Sequence, residues 1–193
     1  MPPKPKFTRE EIVNAALALV SERGADALTA RELGVRLGSS ARPIFTVFRG
    51  MDELQEEVRC AALQRFESFP VEPEQEMPYF KQVGMRMLLF GLREPKLYQL
   101  LFMREVQPED EGFDSLFGRL GPMASRCIDA LEQEYGLAQD EARRLFRNVW
   151  LYTFGLGALC ATGAGHFTHG ELSRLLSDQF RASMLLMRTE NPA

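Results

Sequence analysis

The chain has 193 residues, 45% hydrophobic and 26% charged, enough for a sizeable core and one or two domains of ordinary folded composition. No run approaches the ~20 apolar residues of a membrane helix, and the N-terminal MPPKPKFTREE contains no apolar signal segment, so a cytoplasmic protein without a membrane partner is expected. The net charge of -4 argues at first against a nucleic-acid partner, but residues 1–49 carry eight basic and five acidic side chains while the rest is strongly acidic.

In chain order, the first helix is expected to start at Thr8, with Glu11 three positions on completing a capping box. Ile12, Ala15, Ala16, Leu19 and Val20 form its apolar stripe, Leu28 closes the contact, and Gly24 ends the helix. Thr29 and Glu32 repeat the capping-box spacing. Leu33 and Leu37 then share a face, Gly38 permits a tight turn, and Ser40 offers an N-cap to a second helix, ARPIFTVF. Residues 28–54 therefore read as a helix-turn-helix inside a three-helix unit over about 8–48, with Ile44, Phe45 and Phe48 on the inward face of the recognition helix. A fourth helix begins at Asp52 and runs through Leu54, Val58, Ala61 and Ala62.

The three prolines of PVEPEQEMP, residues 70–78, mark a loop. Helical spacing returns from Tyr79 through Phe80, Val83, Met87 and Leu88. Glu94-Pro95 interrupts it before a short helix carrying Leu97, Leu100, Leu101 and Met103. Pro108 to Gly112 is a polar break, and Phe113 to Tyr135 is helical with a bend near Gly121-Pro122. Two final helices are expected at about Gln139–Ala161 and Thr168–Met187. Strand signals are nearly absent, so the fold class is all-α, with a helix-turn-helix domain over 1–57 and a C-terminal helical domain over 58–193.

The pattern resembles the TetR family of bacterial transcriptional regulators. It is carried by the N-terminal helix, by LTxRELxxxLG at Leu28–Gly38, and by Ile44-Phe45-x-x-Phe48 followed by Met51-Asp52-Glu53-Leu54. In the C-terminal half, Trp150-x-x-x-Phe154-Gly155 is similar to a Trp-x-x-x-His-Gly element of one group of these regulators. The resemblance implies operator binding, a homodimer and an inducer-binding C-terminal domain. It also implies tyrosine at the place of Phe45 and lysine at the place of Met51, both phosphate contacts in the family. Their replacement removes a hydroxyl donor and a cation, which weakens DNA binding and, for the lysine, lowers its salt dependence by ~0.9.

Arg42 is the base-reading residue to expect, because a guanidinium can donate twice to guanine O6 and N7; its alternative is a solvated arginine. Ala41 and Val47 could touch a thymine methyl, and Pro43 suits a first helical turn. Thr29, Ser40, Thr46 and Arg49 are phosphate-contact candidates, although capping alone also accounts for Thr29 and Ser40. Lys4, Lys6 and Arg9 read equally as a DNA-reaching arm or a solubilising tail.

One helix-turn-helix reads few bases, so a homodimer is expected. Leu156, Leu159, Leu172, Leu175, Leu176, Phe180, Met184 and Leu185 offer an interface on the last helix pair, with small Gly155, Gly157, Ala158 and Ala161 allowing close approach; packing within one chain is the other use of that stripe. A soft aromatic set includes Phe80, Met85, Met87, Phe90, Tyr98, Phe102, Met103, Met123, Cys127, Trp150, Tyr152 and Phe154. It suits either a core or the walls of a cavity for a small apolar or aromatic effector, with Arg104, Glu105 and Arg147 as polar anchors. Cys60, Cys127 and Cys160 form no CxxC pair, and His166 and His169 have no ligand neighbours in sequence, so no metal, cofactor or enzymatic activity is expected. Two functions are therefore expected as alternatives: a ligand-responsive DNA-binding repressor, and a protein of the same fold without operator binding that acts as a small-molecule or protein-binding module.

Overall fold

The computed structural model describes residues 6–71, 77–103 and 120–190. The expected polar break at 108–112, the helical start at Phe113, most of the loop at 70–78, and Lys4, Arg104 and Glu105 lie outside them. The described residues hold eight α-helices and no strand: α1 (Arg9–Arg23), α2 (Ala30–Arg36), α3 (Met51–Glu67), α4 (Tyr79–Arg93), α5 (Pro95–Phe102), α6 (Pro122–Tyr135), α7 (Gln139–Thr162) and α8 (His169–Glu190). They form two compact units, 6–68 with 94–103 and 69–93 with 120–190. The first unit thus extends beyond residue 57 and takes in α5.

Local chemistry sets the starts and stops in the first unit. The Thr8 hydroxyl accepts from the Glu11 amide at 3.1 Å, and the Glu11 carboxylate accepts from the Thr8 amide at 2.7 Å, so both halves of the capping box form. Thr29 forms only half of its box. Its hydroxyl accepts from the Glu32 amide at 3.2 Å, but the Glu32 carboxylate turns to Arg23 at 2.5 Å, because a guanidinium within reach is a stronger partner than an amide. Ile12, Ala16, Leu19, Val20, Leu28, Leu33, Leu54, Val58, Ala62 and Phe66 bury the inner faces of α1 to α3. Phe66 stands edge-on to Phe102 at 5.2 Å, and Tyr98 lies 5.0 Å from Phe102, so α5 completes this core. Glu94 secures the start of α5 by accepting from Ser21 of α1 at 2.9 Å and pairing with Arg65 of α3.

In the second unit α4 packs against α6, α7 and α8. Its Gly84 lets α8 come close: a Cβ there would stand 2.7 Å from Leu176 Cδ2. Thr168 caps α8 through reciprocal bonds with Glu171, and Gly121 with φ of 54° and Pro122 open α6. Among the described residues no helix is long and apolar enough to cross a membrane.

Candidate DNA interface and effector cavity

The helix-turn-helix depends on two glycines. Gly38 adopts φ of 61°, the left-handed conformation expected of it. Gly34 lies buried in α2, and a Cβ there would stand 3.0 Å from Ala41 N and Ser40 C and 3.2 Å from Ser39 O, so its missing side chain admits the backbone of the turn. The Ser39 amide donates to the Gly34 carbonyl at 2.9 Å, tying the turn down. Gly38 is legible in the sequence as a turn glycine, whereas the role of Gly34 depends on a contact five or more positions away.

The second element differs from expectation. Instead of an α-helix over ARPIFTVF, the chain forms a single 3₁₀ turn at Ile44–Thr46. Pro43 brings no amide, Thr46 Oγ1 donates to the Pro43 carbonyl at 2.6 Å, and Ile44, Thr46 and Val47 are β-branched, so helical propagation has little support. Ser40 makes no cap bond to this turn, which begins at Pro43. Ile44 and Phe48 are buried as expected, but Phe45 is 49% exposed. A tighter turn rotates Phe45 away from the face shared by Ile44 and Phe48, and this corrects its assignment to the core.

Thr29, Ser40, Arg42, Thr46 and Arg49 are exposed, and Ala41, Pro43 and Val47 are half-buried beside them. The structure brings residues 40–49 into one short surface segment, with Thr29 at the start of α2. Carboxylates occupy several cations of this unit. Arg36 pairs with Glu22 at 2.6 Å, Arg23 with Glu32, and Arg9 with Glu53 at 2.7 Å and Glu57 at 3.0 Å. Arg9 also lies over the Phe48 ring at 4.4 Å, bracing the segment from α1. The Arg49 amide and then the Arg9 guanidinium hold the Glu53 carboxyl below the usual carboxylate range. Arg42 makes no ion pair among the described residues, which leaves its guanidinium available to a partner. Lys6 donates to Ser39 Oγ at 3.2 Å, placing one cation of the N-terminal arm on the turn itself.

The second unit contains a cavity of about 170 Å³. Phe80, Tyr135, Phe146, Trp150 and Phe180 supply its aromatic walls, and Val83, Gly84, Val149 and Leu176 its aliphatic ones. Phe146 and Trp150 are stacked at 5.9 Å, Phe80 lies 5.9 Å from both Phe146 and Phe180, and Tyr135 lies 5.0 Å from Phe180. Of the expected wall residues, Trp150 lines this space. Met85, Met123 and Cys127 are buried away from it, and burial pushes the Cys127 thiol up to about 12. Tyr98 and Phe102 belong to the core of the first unit, Met103 is exposed just beyond α5, and Phe154 and Arg147 lie outside the lining.

Leu176 and Phe180, expected at a dimer interface, face this cavity, and Leu172 is wholly buried within its own chain. A side chain without exposed surface cannot contribute area to a partner, so Leu172 and Leu176 are corrected to intrachain packing. Leu156 and Met184 are nearly covered. Leu159 at 42% exposure, Leu185 at 66% and Leu186 at 51% are not.

A glycine-built turn presenting an arginine thus precedes an all-helical second unit with an aromatic cavity. Residues 12–58 match the family model described as bacterial regulatory proteins, tetR family. Three solved structures share the fold over nearly their whole length. One is a candidate TetR-family transcriptional regulator from Mesorhizobium loti MAFF303099, 19% identical, with a TM-score of 0.59 over 93% of this chain and 98% of that one. Another is the transcriptional regulator SCO7222, a TetR from Streptomyces coelicolor, 18% identical, with a TM-score of 0.58 over 95% and 97%. A TetR transcriptional regulator from Rhodococcus sp. RHA1 is 20% identical, with a TM-score of 0.51 over 93% and 94%. No curated protein matches the chain. Residues 12–58 are thus similar to the tetR-family segment, and the chain shares the all-helical fold of these three proteins.

Proposed function

We propose that the protein is a homodimeric, ligand-responsive DNA-binding regulator, a repressor released from its operator by a small apolar or aromatic effector. The observation that carries this reading is the surface segment 40–49, which holds Arg42 free of ion pairs between Ser40 and Thr46 on a turn braced from beneath by Ile44 and Phe48. Arg42 reads bases, while Thr29, Ser40, Thr46 and Arg49 contact phosphates. Leu151, Gly155 and Leu159 recur every four residues along an exposed face of α7, and Leu185 and Leu186 are exposed on α8; together they supply the self-complementary surface of a two-fold dimer. An effector in the aromatic cavity favours the dimer geometry whose recognition turns do not match successive major grooves, and so lowers operator affinity.

Enrichment of duplexes from a random pool, followed by titration of the winner at several salt concentrations, tests this function. A two-fold symmetric site is expected. Absence of any enriched sequence at low salt would instead support the second reading, a TetR-type fold without operator binding, which Phe45 and Met51 favour because neither can contact a phosphate as tyrosine or lysine would.

A further inference from the structure

The aromatic cavity carries a charge pattern that narrows its occupant. Two cations, Lys81 and Arg181, belong to its lining, and among the described lining residues there is no carboxylate. Thr153 is buried, and its hydroxyl donates to the Val149 carbonyl at 2.8 Å; Ser177 likewise donates to the Ser173 carbonyl at 2.8 Å. With those protons committed to helix carbonyls, both hydroxyls can only accept from a ligand. An anionic group would find no hydroxyl proton on Thr153 or Ser177, whereas the lining also holds the Lys81 ammonium and the exposed Arg181 guanidinium. Arg181 already pairs with Asp178 at 2.7 Å, but that pair is exposed and weakly held, so its guanidinium can also serve a second anion.

Resting on the effector reading above, we infer that the cavity takes a small amphipathic carboxylate, with its aromatic or aliphatic body between Phe146, Trp150 and Phe180 and its carboxylate at Lys81 and Arg181. The size agrees: about 170 Å³ compares with the ~150 Å³ apolar cavity that accepts a benzene ring, leaving a short chain to carry the acid to the edge. Gly84 and Leu176 set the length of the body. A methyl at Gly84 would press on Leu176 Cδ2, the mobile end of a side chain that itself lines the cavity, and so push it into the ligand's space.

Trp150 is the only tryptophan in the chain, which makes its fluorescence a local reporter of this cavity. Phenylbutanoate, phenylbutanol and phenylbutylamine, titrated against the full-length protein, compare an anionic, a neutral and a cationic head on one body. The acid should bind ~3- to 10-fold more tightly than the alcohol, the range expected of partly exposed charge pairs, and the advantage should shrink in high salt. Replacing both cations in Lys81→Met/Arg181→Met should make acid and alcohol bind alike, with circular dichroism confirming that the variant is folded. Equal binding of acid and alcohol to the native protein, or preference for the amine, overturns the carboxylate assignment while leaving the cavity as an effector site. Failure of all three to change Trp150 emission overturns the effector site as well.

Discussion

Gly34→Ala tests the contact on which the helix-turn-helix is built. In a helix interior alanine is favoured over glycine by about 1 kcal/mol, so propensity alone makes this a stabilising change. Against it, the new methyl would stand 3.0 Å from two backbone atoms of the turn, Ala41 N and Ser40 C, rather than against the mobile end of a side chain. Overpacking of this kind costs about 1–3 kcal/mol, and any relief must move the turn and stretch the 2.9 Å bond from the Ser39 amide to the Gly34 carbonyl. The expected balance is a net loss of about 1 kcal/mol in equilibrium urea denaturation, together with weaker DNA binding because residues 40–49 hang from that turn. A variant more stable than the native protein by about 1 kcal/mol, with unchanged DNA affinity, would show that the turn yields freely and that Gly34 does not position it.

Further outcomes follow from the same geometry. Phe45→Tyr should strengthen DNA binding at little cost to folding, since the ring is half exposed, and Met51→Lys should both strengthen it and steepen its salt dependence by ~0.9; filter binding across salt concentrations reads both, and no change in either would place these side chains away from the phosphates. Glu22, Glu32 and Glu53 are held below their ordinary value of 4.5, Glu22 by Arg36, Glu32 by Arg23, and Glu53 by the Arg49 amide and then Arg9. Because the folded state binds these protons less readily than the unfolded chain, their stabilisation is complete above that value and is lost as pH falls through the depressed folded-state values. Glu53→Gln should therefore flatten the acid limb of stability against pH, and an unchanged limb contradicts the pairing. Gly155→Ala meets nothing within 4 Å in the single chain, so it should stabilise an isolated protomer by about 1 kcal/mol but weaken a dimer whose helices cross there; sedimentation across concentrations separates the two, and an unaffected dimer would move the interface elsewhere.

Features encoded over a few residues were the legible ones. Thr8 and Glu11, Gly24, Gly38 and Glu94-Pro95 act on their own neighbours, and the helix limits they imply are those observed. Glu32 departed from its box because Arg23, on another helix, competes for its carboxylate. The 3₁₀ turn at Ile44–Thr46 was foreshadowed by Pro43 and three β-branched residues, a signal outweighed by the apolar spacing of Ile44 and Phe48. The cavity was harder to read. Helices α7 and α8 are apolar on more than one face, and period alone does not say which face meets α4, so Leu176 and Phe180 were expected at an interface. In sequence Tyr98 and Phe102 group with Trp150, all three being aromatic and C-terminal to the turn, whereas the chain returns to the first unit at Glu94 and builds Tyr98 and Phe102 into its core. Nothing local marks such a return.

In the proposed function this turn reads DNA sequence through Arg42. The most direct measurement compares native protein and Arg42→Ala on the duplex enriched by selection and on an unrelated duplex of equal length, at one salt concentration. Base reading by Arg42 should cost about 1–3 kcal/mol on the selected duplex, with a much smaller change on the unrelated one. Equal losses on both would make Arg42 a phosphate contact only, and no loss on either would contradict its role in DNA recognition.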